Sequence, residues 1–225
     1  MACRLPLKGL ALILALCAAA CTATGGADPA LQYGNKRAAL YADEPYEVLI
    51  VNRKKFDPRF LPTTVVAPID QPPGTILVDT QNRFLYLIEG EGKARRYGIA
   101  VGAVGNAWSG TAIVGRKAKW PAWYPTDEMH AVTAGLPRRI EPGPQNPLGA
   151  RALYLYKNGR DTLYRIHGTS EPWTIGTEAS SGCIRMLNED AIDLYDRVKD
   201  GARVIVSKSS LSDVPPTPNR RNMNS

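Results

Sequence analysis

Residues 167–186 read HGTSEPWTIGTEASSGCIRM, and the rest of the chain is arranged around them. Cys183 follows His167 by sixteen residues. That is too far for one helical face, so the two meet only if the loop between them folds back. A cysteine and a histidine brought together form a thiolate–imidazolium pair, which lowers the thiol pKa from its free value of about 8.5 and makes the sulfur a strong nucleophile. Gly182 lets the backbone turn tightly just before Cys183. Such a turn aims successive N–H groups at one point beside the sulfur, as an oxyanion requires. Taken singly, Cys183 reads equally as an inert buried thiol and His167 as a core histidine bonded to backbone. The ordered set around them is what favours chemistry.

That set is His167, Gly168 and Thr169, a spacer, then Ser180, Gly182, Cys183, Ile184 and Arg185. It resembles the catalytic motif of the L,D-transpeptidases, the YkuD-type cysteine enzymes of bacterial cell walls. Many members carry a second histidine where Ser181 stands here. The resemblance implies a mainly β fold, a YkuD-like β-sandwich or barrel with one short helix after the catalytic Cys and a long loop insert. It implies Cys183 as nucleophile and His167 as its base, with the ring oriented by the carbonyl of Gly168. The oxyanion donors would be the N–H of Cys183 and that of Gly182 or Ser181. The implied substrates are peptidoglycan stem peptides. Cys183 attacks the diaminopimelate carbonyl and expels D-alanine, and an amine then takes the acyl group. The amine belongs to a neighbouring stem, giving a 3–3 cross-link, or to an envelope protein; water as acceptor would give an L,D-carboxypeptidase. Sensitivity to carbapenems is also implied, and no metal or cofactor is needed.

Around the pair, Arg185 shares a face with Cys183 if the segment is extended. Its guanidinium could grip a stem carboxylate in a bidentate pair or brace the loop. Ser180 is a candidate for the same two roles. Trp123 and Tyr124, with Trp120, could line a substrate groove or fill core. His130 is a rival base, or a substrate contact.

The 225 residues allow one ordinary domain with tails. Gly and Pro content suggests a loop-rich β chain. The formal charge of +7 becomes +5 without Arg4 and Lys8. This suits an anionic envelope polymer, but no clustered basic helix argues for nucleic acid. Residues 1–20 read as an export signal: two basic residues, a short apolar run, then small residues. Ala18-Ala19-Ala20-Cys21 fits either an ordinary cleavage site or a lipobox, the latter making Cys21 a lipidated anchor in the cell envelope, with the outer membrane favoured. Cys3 and Cys17 leave with the leader, so Cys183 is the one thiol left without a role in an oxidising periplasm.

Residues 21–73 form a tether and an extended arm, in which 46–51 (YEVLIV) could be a strand and repeated prolines forbid most regular structure. The catalytic domain is expected over 74–207. Strands are expected at 76–79, 84–88 and 96–101, with another around Ile113-Val114. Trp108-Ser109-Gly110-Thr111 replaces the family's Thr-Pro-Thr-Gly turn. Residues 115–150 read as an aperiodic insert, functional by its length and aromatic content. A hairpin follows across Asn158-Gly159, setting His167 at a strand end. Asn188 reads as the N-cap of a helix carrying Ala191, Leu194, Tyr195 and Val198 on one face, with Glu189 and Asp190 in its first turn. A final strand spans 203–207, and 208–225 read as a disordered tail.

Three other readings compete. A papain-like peptidase needs a helix opening at the Cys, which Gly182 and Arg185 suit poorly. A zinc site lacks ligands. A non-enzymatic, peptidoglycan-binding lipoprotein leaves the paired motifs without purpose.

Overall fold

The computed structural model describes residues 39–103, 108–180 and 182–211. The expected leader, Cys21, Ser181 and the last fourteen positions lie outside them. The described strands are β1 (Thr63–Val66), β2 (Ile76–Asp79), β3 (Phe84–Gly90), β4 (Lys93–Gly98), β5 (Gly110–Lys119), β6 (Arg151–Lys157), β7 (Arg160–His167), β8 (Ile184–Arg185) and β9 (Arg203–Ser207). The helices are α1 (Asp127–Val132) and α2 (Asn188–Arg197). The strands form one sheet in the order β1-β4-β3-β2-β9-β5-β6-β7-β8. The pairs β2·β9 and β7·β8 are parallel, the others antiparallel.

The sheet curls back on itself. Beyond β4 the chain meets β8 at the other end, with Ala100 and Arg185 exchanging two N–H···O bonds of 2.9 Å. Gly102 bridges Ser180 in parallel, Ser180 N donating to the Val101 carbonyl and Ala103 N to the Ser180 carbonyl at 3.0 Å each. This barrel-like closure is the mainly β architecture expected. Its interior holds Ile76, Val78, Leu85, Leu153, Leu155, Ile166 and Ile184, plugged by Ala191 and Leu194 of α2 and by Val198, which caps its C-terminus. Two tight hairpins shape the ends. Asn158 and Gly159 have φ of 52° and 74°, and Glu91 and Gly92 have 50° and 69°. Positive φ at both central residues is the type I′ geometry that matches strand twist.

Several expectations are corrected. Residues 46–51 are extended and partly buried but pair in no strand, while the arm supplies β1, a short edge strand flanked by Pro62 and Pro68. Prolines are tolerated at such an edge because its outer N–H groups have no ladder to serve. The supposed insert opens inside β5, which runs ten residues to Lys119, and contains α1. Its charges hid the strand: Arg116 and Lys117 lie over tyrosine rings, and Lys117 Nζ donates to the Val198 carbonyl at 2.5 Å. The expected tail starts too early. Ser210 and Leu211 are buried, and their N–H groups donate to Gln81 and Asp79 side chains at 2.8 Å each.

The arm is locked to the domain through buried charge. Glu44 pairs with Arg151 of β6 and accepts from Trp120 Nε1 at 2.7 Å. Those contacts hold its carboxyl below the usual range, against the opposing effect of burial. Arg53 lies 2.5 Å from Asp190 and 3.6 Å from Glu189 at the start of α2. Asn188 is therefore not the N-cap: Leu187 is, and no side chain caps the helix. Glu189 and Asp190 are buried partners of the arm, not solvent-facing acids tuned to a helix dipole.

Candidate active site

His167 is the last residue of β7 and is almost fully buried. Its Nδ1 lies 2.5 Å from the Gly168 carbonyl. A carbonyl can only accept, so Nδ1 carries the proton and Nε2 presents a lone pair. Gly168 is itself fixed: its N–H donates to the Arg151 carbonyl at 2.9 Å. Asn188 closes the cradle, accepting from Ala150 N at 2.9 Å and donating to the Thr169 carbonyl at 2.9 Å. A Cβ on Gly168 or Gly149 would fall 2.1 Å from Asn188 Oδ1, so neither position admits a side chain. Sequence reasoning missed Asn188 as a site residue because an Asn before an amphipathic run looks like a cap.

Cys183 sits one position before β8. The parallel register pairs Ile166 with Ile184 and His167 with Arg185. Ile166 and Ile184 face the core, so Arg165, His167, Cys183 and Arg185 share the opposite face. Strand spacing and rise put the Cys183 and His167 α-carbons about 8 Å apart along the diagonal, and among the described contacts none joins the sulfur to the imidazole. The sulfur is partly exposed and its nearest described acceptor is the Leu163 carbonyl at 3.9 Å. Leu163 is a non-glycine residue with φ of 64°, its N–H held by Asp161 at 2.8 Å. Such strain clusters beside reactive groups.

Burial acts on the charge of both groups. Burial pushes the His167 imidazolium down to about 4, helped by the Arg185 and Arg165 charges and opposed by the Gly168 and Pro147 carbonyls. Burial likewise pushes the Cys183 thiol up, against the Arg165 N–H and the Arg165 and Arg185 charges. Burial thus works against the charged form of both groups, while the two guanidiniums oppose the imidazolium and favour the thiolate.

The loop before the sulfur is self-braced. Ser180 is buried, its hydroxyl donating to the Cys183 carbonyl at 2.5 Å and accepting from Gly182 N at 3.2 Å. The Gly182 N–H, expected in the oxyanion hole, is therefore committed to Ser180. Gly182 has φ of 132°, which supports the expected tight turn. Arg185, expected either to grip a substrate carboxylate or to brace the loop, pairs with Glu171 at 2.6 Å. Glu171 gave no sequence signal beyond being acidic. The insert's aromatic candidates are not drawn to the sulfur. Trp123 bridges Ile140, Tyr124 is exposed and accepts from Arg139 Nε at 3.0 Å, and His130 lies on α1. Trp120 is buried with Val48, Ile50, Ala150 and Ile192. Among the described contacts none joins these residues to Cys183 or His167.

A family model described as "YkuD: L,D-transpeptidase catalytic domain" matches residues 73–206. The chain belongs to that family. It is 36% identical over 152 residues to the probable L,D-transpeptidase YbiS of Escherichia coli K12, covering 64% of this chain and 47% of YbiS. It is 33% identical over 152 residues to the probable L,D-transpeptidase ErfK/SrfK of the same strain, again covering 64% and 47%. The chain thus spans about half the length of the curated relatives it matches. A solved Brucella melitensis chain titled "Probable carnitine operon oxidoreductase caia" is 49% identical, covering 66% of this chain and 94% of that one, with a TM-score of 0.46.

Proposed function

We propose that this chain is a peptidoglycan L,D-transpeptidase working through Cys183 and His167. The observation that carries the reading is the Nδ1–Gly168 contact of 2.5 Å. With the proton on Nδ1, the Nε2 lone pair is the one that can serve as base for Cys183, which the strand register sets on the same face as His167. In the acylation step the thiol proton passes to Nε2 as sulfur bonds to the diaminopimelate carbonyl. The tetrahedral oxyanion takes the Cys183 N–H, with a second donor from the neighbouring Ser181 position. Collapse breaks the C–N bond, and His167 returns the proton to the departing D-alanine amine. An acceptor amine then attacks the thioester, loses its proton to His167, and the sulfur leaves and is reprotonated.

A neutral resting pair suits this sequence, because proton transfer is coupled to bond formation and no free thiolate is exposed to oxidants. Glu171 on Arg185 occupies the position a substrate carboxylate would take, so Arg185 serves substrate only after exchanging partners. Ser180 braces the nucleophile loop. Trp123, Tyr124 and His130 keep a role only if the substrate extends as far as the insert. The remaining assignments follow the leader: export to the periplasm, and a lipidated Cys21 holding the enzyme at a membrane.

Mass spectrometry after meropenem treatment tests the reading. A single adduct on the Cys183 peptide is expected, absent in Cys183→Ala and strongly slowed in His167→Gln. An unmodified Cys183, or an adduct formed equally fast without His167, overturns it. Muropeptide profiles of cells with and without the active enzyme separate cross-linking from protein attachment, and intact mass of the mature protein decides lipidation.

A further inference from the structure

The register lines up four residues across the catalytic face. Arg116 of β5 pairs with Tyr154 of β6, Tyr154 pairs with Arg165 of β7, and Cys183 stands beside Arg165 one position before β8. Two irregularities aim this row. The β5·β6 register shifts between Val114 and Arg116, and the β6·β7 register between Tyr154 and Tyr156. Gly115 sits at the first shift, where a Cβ would strike the Tyr156 ring at 2.5 Å. Bulges re-aim side chains beside active sites. Here both bring a guanidinium onto one ring: Arg116 at 3.5 Å from the Tyr154 centroid and Arg165 at 4.3 Å.

The two arginines differ in what they have left to give. Arg165 is held bidentate by Asp161 at 2.7 and 2.8 Å. Arg116 is exposed, and among the described residues no carboxylate pairs with it. Stacking fixes its orientation while leaving its N–H edge open, which is how a planar guanidinium is prepared for a carboxylate. Three strand spacings separate its row position from that of the sulfur, about 14 Å along the sheet. An extended peptide of about four residues covers that span.

We propose that Arg116, stacked on Tyr154, selects the acyl acceptor by binding its free carboxylate while the acceptor amine reaches the Cys183 thioester. This rests on the transpeptidase reading and deepens it. The acceptor it favours is a stem peptide with an unblocked carboxylate about four residues' length from its nucleophilic amine. A protein amine without such a carboxylate is used less well, and water gains nothing from Arg116.

The test uses the full exported chain, a stem tetrapeptide donor, and two acceptors: a stem peptide ending in a free carboxylate and the same peptide amidated. Wild type is expected to prefer the free acid. Arg116→Ala should raise the half-saturating concentration of the free acid at least about tenfold, the usual effect of losing one charge-assisted hydrogen bond. It should leave the amidated acceptor and the meropenem acylation rate unchanged, and Arg116→Lys should restore part of the preference. Equal use of both acceptors by wild type, or an unchanged preference in Arg116→Ala, overturns the proposal while leaving the enzyme reading intact. If wild type forms no acyl-enzyme with donor or meropenem, the enzyme reading fails and the proposal falls with it.

Discussion

Cys183 and His167 each carry a pKa moved away from the charged form, and this fixes how their reactivity answers pH. With His167 held near 4, the imidazole is neutral and able to accept a proton at every pH above that value. Burial holds the Cys183 thiol above the ordinary thiol range, so free thiolate forms only in alkali. Alkylation of the substrate-free enzyme by iodoacetamide should therefore climb through pH 7–9 without a plateau, and kcat/KM for acylation should show its acidic limb near 4. A plateau of alkylation beginning near neutrality would mean a preformed ion pair. The same depression has a stability consequence. The unfolded histidine protonates near 6.5 and the folded one only near 4, so stability present above 6.5 is lost as pH falls through that window, by up to about 3 kcal/mol. Asp190 runs the other way. Burial lifts it to about 6 despite Arg53, so its folded form gains protons, and relative stability, over much of the same interval. The motif residues and the Gly168 carbonyl were legible in the sequence. The pull of burial on their charges was not, because burial is a property of the loops over the site rather than of the motif.

At the level of elements, the decisive contacts are those between the arm and the pieces that carry His167. Glu44 meets Arg151, whose carbonyl holds Gly168; Arg53 meets the first turn of α2, whose Asn188 spans Ala150 and Thr169. Removing Arg53 takes the cation from the buried Asp190 and Glu189 carboxylates, and breaking such a buried pair typically costs about 3–5 kcal/mol. Arg53→Ala should lower the calorimetric Tm by about 10 °C. Adding Glu189→Gln and Asp190→Asn should recover much of that loss; recovery by neither would assign the effect to lost packing. These ties were invisible in sequence because an acid and an arginine in a proline-rich segment look solvated. The hairpin at Asn158-Gly159 was legible for the opposite reason, since its geometry is decided locally by two residues. The strand β5 was hidden by charges whose stems lie over rings, a non-local compensation.

For the whole molecule, closure of the sheet through Ala100 and Arg185 explains how a two-residue strand can hold Cys183, the residue just before it, in place. That strand is secured on one flank by β7 and on the other by the extension of β4. Alternating patterns revealed a β fold, but not this closure, which joins residues far apart in the chain. The arm belongs to the same body, since Val51 and Phe60 pack with Ala100, Ile175 and Leu187 around the closing seam.

The seam has a kinetic reading. The amides of Arg185 and Met186 donate to Ala100 and His167 carbonyls at 2.9 and 2.8 Å, so the first meets solvent deuterium only when the Ala100 seam opens and the second only when the β7 flank does. In native-state hydrogen exchange they should be as slow as the amides of central β6, although the reactive sulfur is their near neighbour. Fast exchange there would reveal a catalytic strand that breathes on its own, and an enzyme whose sulfur is positioned only part of the time.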